Sequence, residues 1–339
     1  MWDGEIFWTR AYNRREFGGG TFSAAAISSA PARRQIRRFL NSARTPVILT
    51  NHHLGRFAES VTTPFIIVVH DLIRAEDLAR GGVSRTTRMS DRDAEGIAGD
   101  LRGIARASGV VVPSEQTRDQ MCRLLPDYSG EIRVIPVPVG AHYFDPPGGT
   151  AETLTRGSSP YLLYVGTEQP RKNISTLLKA LQRVRGDGID LHLVKVGTSG
   201  SKDGAYRKQT LAMVRELKLD PYVTILEGVP DSQMVQLYAG AVALALPSLS
   251  EGFGLPVAEA LVVGTPPIIS ADSPMAAFSG SAGVVVDPSS IADLSQAISN
   301  LATDEHYRSG FATSPDRRIE RFHPAYHNAQ LVEFMEKLS

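Results

Sequence analysis

Cysteine is almost missing from this sequence, because Cys122 is the single cysteine among 339 residues. A lone cysteine excludes a disulfide within the chain and is typical of proteins in a reducing compartment. The sequence also has no apolar run near the roughly 18 residues of a membrane-spanning helix, and its first residues lack the basic start and apolar core of a signal peptide. These absences predict a soluble, cytoplasmic protein.

The formal net charge of the chain is zero, since 36 lysines and arginines balance 36 aspartates and glutamates. Without an excess of positive charge, the composition gives no reason to expect a nucleic-acid partner. Charge is less even near the start, where the segment Arg33–Arg38 precedes Phe39 and Leu40 with helical spacing. Such a helix allows peripheral contact with an anionic inner membrane face, although an amphipathic helix with a solvated basic face is the commoner explanation.

The length and the 42% hydrophobic content suit two domains with separate cores. Strand-like apolar runs alternate with helical patterns, which predicts α/β units with parallel sheets. The predicted strands are Ile6–Trp8 (weaker than the rest), Pro46–Thr50, Phe65–Val69, Val110–Val112, Ile132–Ile135, Tyr161–Val165, Leu191–Val196, Val223–Leu226, Ala241–Leu246, Pro267–Ser270 and Gly283–Val286. The dense Pro and Gly of residues 136–149 predict a linker, which divides the chain into domains 1–145 and 146–320 with a helical segment 321–339.

The most informative segment of the sequence is 247–260, which places Glu251 and Glu259 eight positions apart across a glycine-rich turn. Glycines allow the backbone to approach a ligand closely, and Pro256 suits the first position of a helix. A helix N-terminus at the carboxyl end of a parallel strand favours an anionic ligand, and a phosphate-bearing one is expected. The two carboxylates would then bind sugar hydroxyls of that ligand; the alternative is that Glu251 caps the helix and Glu259 lies on its solvated face.

This segment resembles the E-x7-E signature of retaining GT-B glycosyltransferases, specifically glycosyltransferase family 4. The resemblance implies that Glu251 contacts the donor sugar and Glu259 the nucleotide ribose. It also implies that a stretch of backbone faces the diphosphate and sugar, at Gly252, Phe253, Gly254 and Leu255. The implied architecture is GT-B: two Rossmann-like, doubly wound parallel-sheet domains facing an interdomain cleft. The N-terminal, acceptor-side domain is short for the family, and the C-terminal helix is expected to cross back to it.

A second motif, Tyr164–Asn173, joins a predicted strand to a helix that Asn173 is expected to cap. Arg171 and Lys172 lie just before the helix N-terminus, whose dipole favours anions, so a negative group should offset them. The pattern strand-Gly-x-x-x-Pro-Arg-Lys-Asn resembles the family motif that places these two cations on the donor diphosphate, with Gly166 in the preceding turn. A solvated basic pair on a loop is the alternative.

Other residues receive roles only from the resemblance. His70, after the strand Phe65–Val69, is implied to reach the donor sugar, although a histidine at a strand end is often structural. Gly18 and Gly19 are implied to bring backbone amides to the phosphates, and a flexible turn explains them equally well. Val229 matches a position that contacts the nucleotide base through its backbone.

The resemblance implies a metal-independent, retaining hexosyltransferase with His70, Arg171, Lys172 and Glu251 as its catalytic residues. The donor is a nucleoside diphosphate sugar, with GDP-mannose slightly favoured over UDP-sugars, and the acceptor is a glycan, a lipid or a small molecule. No cofactor is expected. Two alternatives stay open: a nucleotide-sugar epimerase or hydrolase of the same fold, and a nucleotide-sugar-binding protein without catalytic activity.

Overall fold

The computed structural model describes residues 41, 47–59, 61–81, 90–145, 159–201, 203–312 and 318–338. Within these ranges the chain forms two parallel sheets, one of four strands and one of six. The strand predicted over Ile6–Trp8, the glycines Gly18 and Gly19, and the basic segment Arg33–Arg38 lie outside the described residues. None of the helices in the described ranges combines the length and hydropathy of a membrane-spanning segment.

The first domain is built on four parallel strands in the order β1-β2-β3-β4. The strands are β1 (Val47–Leu49), β2 (Phe65–Val68), β3 (Gly109–Val112) and β4 (Glu131–Val134). The helices are α1 (Gly55–Ala58), α2 (Ile73–Ala79), α3 (Asp91–Ile104) and α4 (Glu115–Leu124), with 3-10 turns at His52–Leu54 and Ala141–Tyr143. The four strands predicted between residues 46 and 135 are confirmed.

The second domain is built on six parallel strands in the order β10-β9-β8-β5-β6-β7. Its strands are β5 (Tyr161–Val165), β6 (His192–Val196), β7 (Val223–Leu226), β8 (Ala243–Leu246), β9 (Pro267–Ser270) and β10 (Val284–Val286). The helices are α5 (Ile174–Gly186), α6 (Ala205–Glu216), α7 (Asp231–Ala239), α8 (Leu255–Val263), α9 (Pro274–Ser279), α10 (Ile291–Thr303), α11 (Glu305–Ala312) and α12 (Pro324–Leu338). The six strands predicted here are confirmed.

The strand order of the second sheet changes direction between β5 and β8, which pair side by side. In doubly wound sheets, ligands bind outside the carboxyl ends of the strands at such a switch point. Both strands are apolar because helices cover both faces of the sheet, and every residue of β8 is buried. A ligand-binding site is therefore expected at the loops that follow β5 and β8.

The C-terminal helix α12 packs on the first sheet rather than on the second. Leu331 and Phe334 are buried in one apolar cluster with Ile66, Val111 and Ile135 of the first domain. Phe334 and Leu338 also occupy the space where a β-carbon on Gly109 would lie, so β3 needs a glycine at this point. The helix thus covers apolar surface that the first sheet would otherwise expose.

Candidate functional site

Two loops meet at the switch point, one after β5 and one after β8. The backbone N–H of Leu249 donates to the carbonyl oxygen of Arg171 over 2.7 Å, and Arg171 Nη1 donates to the carbonyl oxygen of Ser250 over 3.0 Å. A 3-10 turn, Pro170–Lys172, presents the two cations toward the second loop. Two motifs about 80 positions apart in the sequence thereby form one surface, because their strands are neighbours in the sheet.

Lys172, Arg171 and Glu251 form an ion-paired cluster on this surface. Lys172 Nζ lies 2.5 Å from Glu251 Oε1, and Arg171 Nη1 lies 3.4 Å from Glu251 Oε2. Glu251 is only 8% exposed, so its charge requires these partners. The negative group that the basic pair needs is therefore supplied by the chain itself, from the other motif.

Asn173 does not cap α5, and that prediction is wrong. Its backbone is left-handed, with φ of 56°, and its side chain makes no capping hydrogen bond. A capping side chain needs an extended backbone to reach back to the helix amides, and the preceding 3-10 turn prevents this. Instead Asn173 Nδ2 donates to the carbonyl oxygens of Pro247 and Pro288, over 2.9 and 2.7 Å, and so connects its own loop with the loops after β8 and β10.

Gly166 lies beneath the cationic turn. The side chain of Lys172 passes 3.9 Å from the position that a β-carbon on Gly166 would take. A β-carbon on Gly197, in the loop after β6, would approach the carbonyl oxygen of Gly166 to 2.6 Å. The two glycines therefore let the loops after β5 and β6 approach closely under Lys172.

Gly252 joins the second domain to the first. Its carbonyl oxygen accepts hydrogen bonds from Ser114 Oγ, over 2.9 Å, and from Thr117 Oγ1, over 3.1 Å, and both hydroxyls are buried in the first turn of α4. A β-carbon on Gly252 would collide with the carbonyl oxygen of His70. The loop that carries Glu251 is thus seated on the first domain immediately after that glutamate.

Ser114 and Thr117 were not predicted from the sequence as site residues. The sequence does contain a signal for them. Ser114 stands two positions after the end of β3, and His70 stands two positions after the end of the neighbouring strand β2. The carboxyl ends of parallel neighbours meet at one edge of the sheet, and the Ser-x-x-Thr spacing is also that of a helix start. Ser114 indeed caps α4 by accepting from the Thr117 backbone N–H over 3.1 Å.

His70 is exposed, and its ring is oriented by the first domain. Nε2 lies 2.8 Å from the carbonyl oxygen of Thr50. A carbonyl can only accept, so Nε2 carries the proton and Nδ1 is left to face solvent or a ligand. Since the His70 backbone also touches Gly252, the structure brings His70 to the same loop as Glu251.

The rest of the glycine-rich turn is ordered by packing. The ring of Phe253 is buried among aromatic neighbours, with its centroid 4.9 Å from that of Phe278. Gly254 has φ of 94°, and Met275 occupies the place of its absent side chain, so no L-residue fits there.

Helix α8 then begins at Leu255, one residue earlier than predicted, and no described side chain caps it. Glu251 is therefore not a helix cap.

Glu259 faces the opposite side of α8, toward α7. Its Oε2 accepts a hydrogen bond from the Tyr238 hydroxyl over 2.6 Å, and burial raises its pKa to about 7. The Tyr143 hydroxyl is a second partner. Glu259 is half-buried and bonded to Tyr238, so the solvated-face alternative is not what the structure shows. Val229, half-buried after β7, packs against the core of the second domain.

The raised pKa of Glu259 predicts a pH-dependent stability. Its folded pKa of about 7 lies above the ordinary value of 4.5, so the folded protein holds a proton that the unfolded chain releases. The stabilisation is complete below about pH 4.5 and is lost as pH rises through about 7. Urea unfolding at pH 5 and pH 8 should show wild type losing stability relative to Glu259→Gln; parallel profiles would contradict this. Glu216→Gln, at an exposed position of α6, is the control.

Two cavities adjoin the ion-paired cluster, and Arg171 lines both of them. The first, of about 410 Å³, lies between α2, α3 and the turn Pro170–Lys172. The second, of about 370 Å³, lies between α2, α4 and the loops after β8 and β9, and includes Glu251. Both are lined by residues of the two domains, so the site lies in the interdomain cleft.

Comparison with known sequences identifies relatives of this chain. Residues 150–314 match the family described as glycosyl transferases group 1. O-antigen chain mannosyltransferase B of Escherichia coli is 34% identical over 149 residues, which are 44% of this chain and 38% of that protein. D-inositol 3-phosphate glycosyltransferase of Mycolicibacterium smegmatis is 30% identical over 213 residues, which are 61% of this chain and 48% of that protein. The chain thus spans less than half the length of these two relatives.

Solved structures resemble the whole arrangement of two domains. Sucrose-phosphate synthase from Thermosynechococcus elongatus superposes with a TM-score of 0.76 at 23% identity, covering 91% of this chain and 77% of that one. Anabaena HepE in complex with UDP-glucose gives a TM-score of 0.76 at 16% identity, covering 91% and 82%. WaaG, a glycosyltransferase of lipopolysaccharide biosynthesis, gives 0.67 at 16% identity, covering 90% and 80%. The chain therefore has the GT-B fold, and its residues 150–314 are similar to the family of glycosyl transferases group 1.

Proposed function

We propose that this protein is a retaining, metal-independent hexosyltransferase of glycosyltransferase family 4. It moves a hexosyl group from a nucleoside diphosphate sugar to an acceptor held in the interdomain cleft. The observation that carries the proposal is the cluster of Lys172, Arg171 and Glu251, where two cations and a carboxylate from separate motifs meet at the switch point of the sheet. The family match over residues 150–314 and the GT-B fold support it.

The reaction requires stabilisation of a departing diphosphate. The bond between the anomeric carbon and the phosphate oxygen breaks, the acceptor oxygen bonds to that carbon on the same face, and the acceptor proton passes to the leaving phosphate. No protein base is assigned. Arg171 and Lys172 supply positive charge where negative charge develops. One ion pair at 4 Å contributes on the order of 4 kcal/mol at an effective dielectric constant of 20, before desolvation.

Donor binding then implies an exchange of partners within the cluster. Without a donor, Glu251 is the shared ion-pair partner of both cations, and the three side chains together keep one net positive charge. When a diphosphate takes over Arg171 and Lys172, the carboxylate of Glu251 is released to accept hydrogen bonds from hydroxyls of the donor sugar. The cluster thereby holds the two cations in position before the donor arrives, and such preorganisation lowers the cost of binding.

The remaining site residues keep the roles that the family motifs suggest. In this proposal His70 reaches the donor sugar through Nδ1, Glu259 binds the ribose, and Val229 contacts the base through its backbone. The proposal also assigns contacts with the diphosphate to the backbone at Gly166 and Gly252–Leu255, and at Gly18 and Gly19, which lie outside the described residues. Ribose binding by Glu259 requires either that its hydrogen bond with Tyr238 breaks or that a ribose hydroxyl binds the carboxylate beside Tyr238.

GDP-mannose stays slightly favoured as the donor, because two of the relatives are named O-antigen chain mannosyltransferases. UDP-sugars remain the second choice, since UDP-glucose is the ligand in the Anabaena structure. The acceptor is a glycan, a lipid or a small molecule. We propose a cytoplasmic location, with the segment Arg33–Arg38 as the candidate for contact with the inner membrane face.

The test is product analysis with GDP-mannose and with UDP-glucose, in EDTA, with and without a panel of sugar, inositol and lipid-linked acceptors. Transfer is expected, with the anomeric configuration of the donor retained in the product and activity unchanged by EDTA. Donor hydrolysis or epimerisation without acceptor identifies the first alternative. Donor binding by thermal shift with no turnover across the panel identifies a binding protein.

A further inference from the structure

In the proposed function the first cavity is the candidate position for the acceptor, because it lies between the two domains and is lined by Arg171. It is lined by Leu72 and Ile73 of the first domain on one side and by Gln169, Pro170 and Arg171 of the second on the other. Because Arg171 also belongs to the ion-paired cluster, a molecule in this cavity lies directly beside the proposed diphosphate position. The charges of the cavity lining therefore bear on which acceptors it admits.

Carboxylates predominate in the described lining of this cavity. Four aspartates line it: Asp71, Asp77, Asp93 and Asp100. Its two arginines are Arg74 and Arg171, and each is already engaged by a carboxylate, Arg74 Nη2 lying 2.9 Å from Asp93 Oδ1 and Arg171 Nη1 lying 3.4 Å from Glu251 Oε2.

The other aspartates differ in their partners. Asp100 is held by Arg56, whose Nη2 lies 2.5 Å from its Oδ2, and by His53 of the cavity lining, whose Nδ1 lies 3.1 Å from the same oxygen. Asp71 receives a hydrogen bond from the Ile73 backbone N–H over 3.3 Å, and Asp77 lies half-buried on α2. Neither of these two is paired with a cation among the described residues, so the lining retains negative charge.

The cavity lining also includes His53, the partner of Asp100, and the buried His52. His52 is 9% exposed, and its Nδ1 has no hydrogen-bond partner among the described residues. Burial, followed by the nearby His53, lowers the pKa of His52 to about 4, so the ring is neutral at physiological pH and adds no positive charge. An unpaired ring nitrogen is suited to a hydroxyl group of a ligand.

We infer that the first cavity selects an uncharged, polyhydroxylated acceptor, whose hydroxyls bind Asp71, Asp77 and His52, and disfavours the same molecule carrying a phosphate. Carboxylates accept hydrogen bonds from sugar hydroxyls, whereas a phosphate placed beside two unpaired aspartates is repelled. This inference rests on the proposed function and adds the charge class of the second substrate.

The test compares acceptors that differ only in a phosphate group, with saturating donor. The pairs are mannose and mannose 6-phosphate, glucose and glucose 6-phosphate, and myo-inositol and inositol 3-phosphate. For each pair that is turned over, kcat/KM is expected to be about tenfold or more higher for the neutral member. For pairs without turnover, affinity is measured by calorimetry with the nucleoside diphosphate bound. Equal or better use of the phosphorylated members, by either measurement, overturns the inference.

A charge-reversal variant ties the preference to the cavity. Asp77→Arg is expected to shift the ratio of neutral to phosphorylated acceptor use by about tenfold or more toward the phosphorylated member. Asp187→Arg, at an exposed position after α5, changes the net charge equally and should leave the ratio unchanged. An unaltered ratio in Asp77→Arg counts against the inference. If no acceptor is glycosylated while the donor still binds, the proposed function itself fails, which is a different outcome.

Discussion

Replacing Lys172 with alanine is expected to lower kcat/KM for the donor by about 10² to 10³, the effect of losing one preorganised charge contact at a developing anion. The structure adds a second expected result. Lys172 is the nearer partner of the buried Glu251, at 2.5 Å, so its loss also leaves that carboxylate poorly compensated. The variant should therefore unfold at a lower urea concentration as well as react more slowly. Steady-state kinetics and urea unfolding measure the two effects.

The two effects can be separated with further variants. Lys172→Ala combined with Glu251→Gln removes the uncompensated charge, so stability should recover while kcat/KM stays low. Lys179→Ala, at an exposed position of α5, is the matched control and should change neither quantity. A change of less than threefold in kcat/KM for Lys172→Ala, with the protein folded, would remove the central support of the proposed function.

The largest loss of stability is expected from Glu168→Ala. Glu168 is 3% exposed and lies 2.7 Å from Nζ of Lys195, which is 0% exposed, and 2.5 Å from Nε of Arg207. Breaking a buried pair by removing one partner typically costs about 3 to 5 kcal/mol, because the remaining charge stays buried without compensation. The change in the free energy of unfolding is measured by urea unfolding, from the midpoint and the slope of the transition in wild type and variant.

The control for this prediction is an exposed ion pair. Glu59→Ala removes the partner of Arg102, both being exposed, and should cost at most about 1 kcal/mol. If Glu168→Ala is not recovered in soluble form, Glu168→Gln keeps the shape and removes the charge. A loss below about 1 kcal/mol for the Glu168 variants would mean that the buried cluster is not what holds this region together.

The Glu168 cluster also supports the site. Lys195 Nζ donates to the carbonyl oxygens of Gly197 and Thr198, and Arg207 donates to Gly197 over 3.0 Å. Gly197 in turn packs against Gly166, beneath Lys172. No role was predicted for Glu168 from the sequence, although it lies inside the motif that contains Arg171. Its partners are on β6 and α6, and no local pattern indicates them.

Strand and helix positions were predictable because their signals are local. The buried strands appear as short apolar runs, and the turn before α8 appears as glycines followed by Pro256, features that the neighbouring residues alone produce. The glutamate and basic motifs were recognisable for the same reason. The wrong prediction concerned Asn173, where the residue type suits a cap but the backbone conformation, imposed by the 3-10 turn before it, does not.

The pairing of distant residues was decided by the tertiary structure alone. Ser114 and Thr117 reach the carbonyl oxygen of Gly252 across more than 130 positions, and only the docking of the two domains brings them there. The same docking places aspartates of the first domain opposite Arg171. By itself, the amino-acid sequence determined the two α/β domains and the chemistry of the two motifs, because backbone preference and apolar periodicity act over a few residues. Packing between segments far apart in the chain decided which charged side chains pair with each other and which stay unpaired and able to bind a ligand.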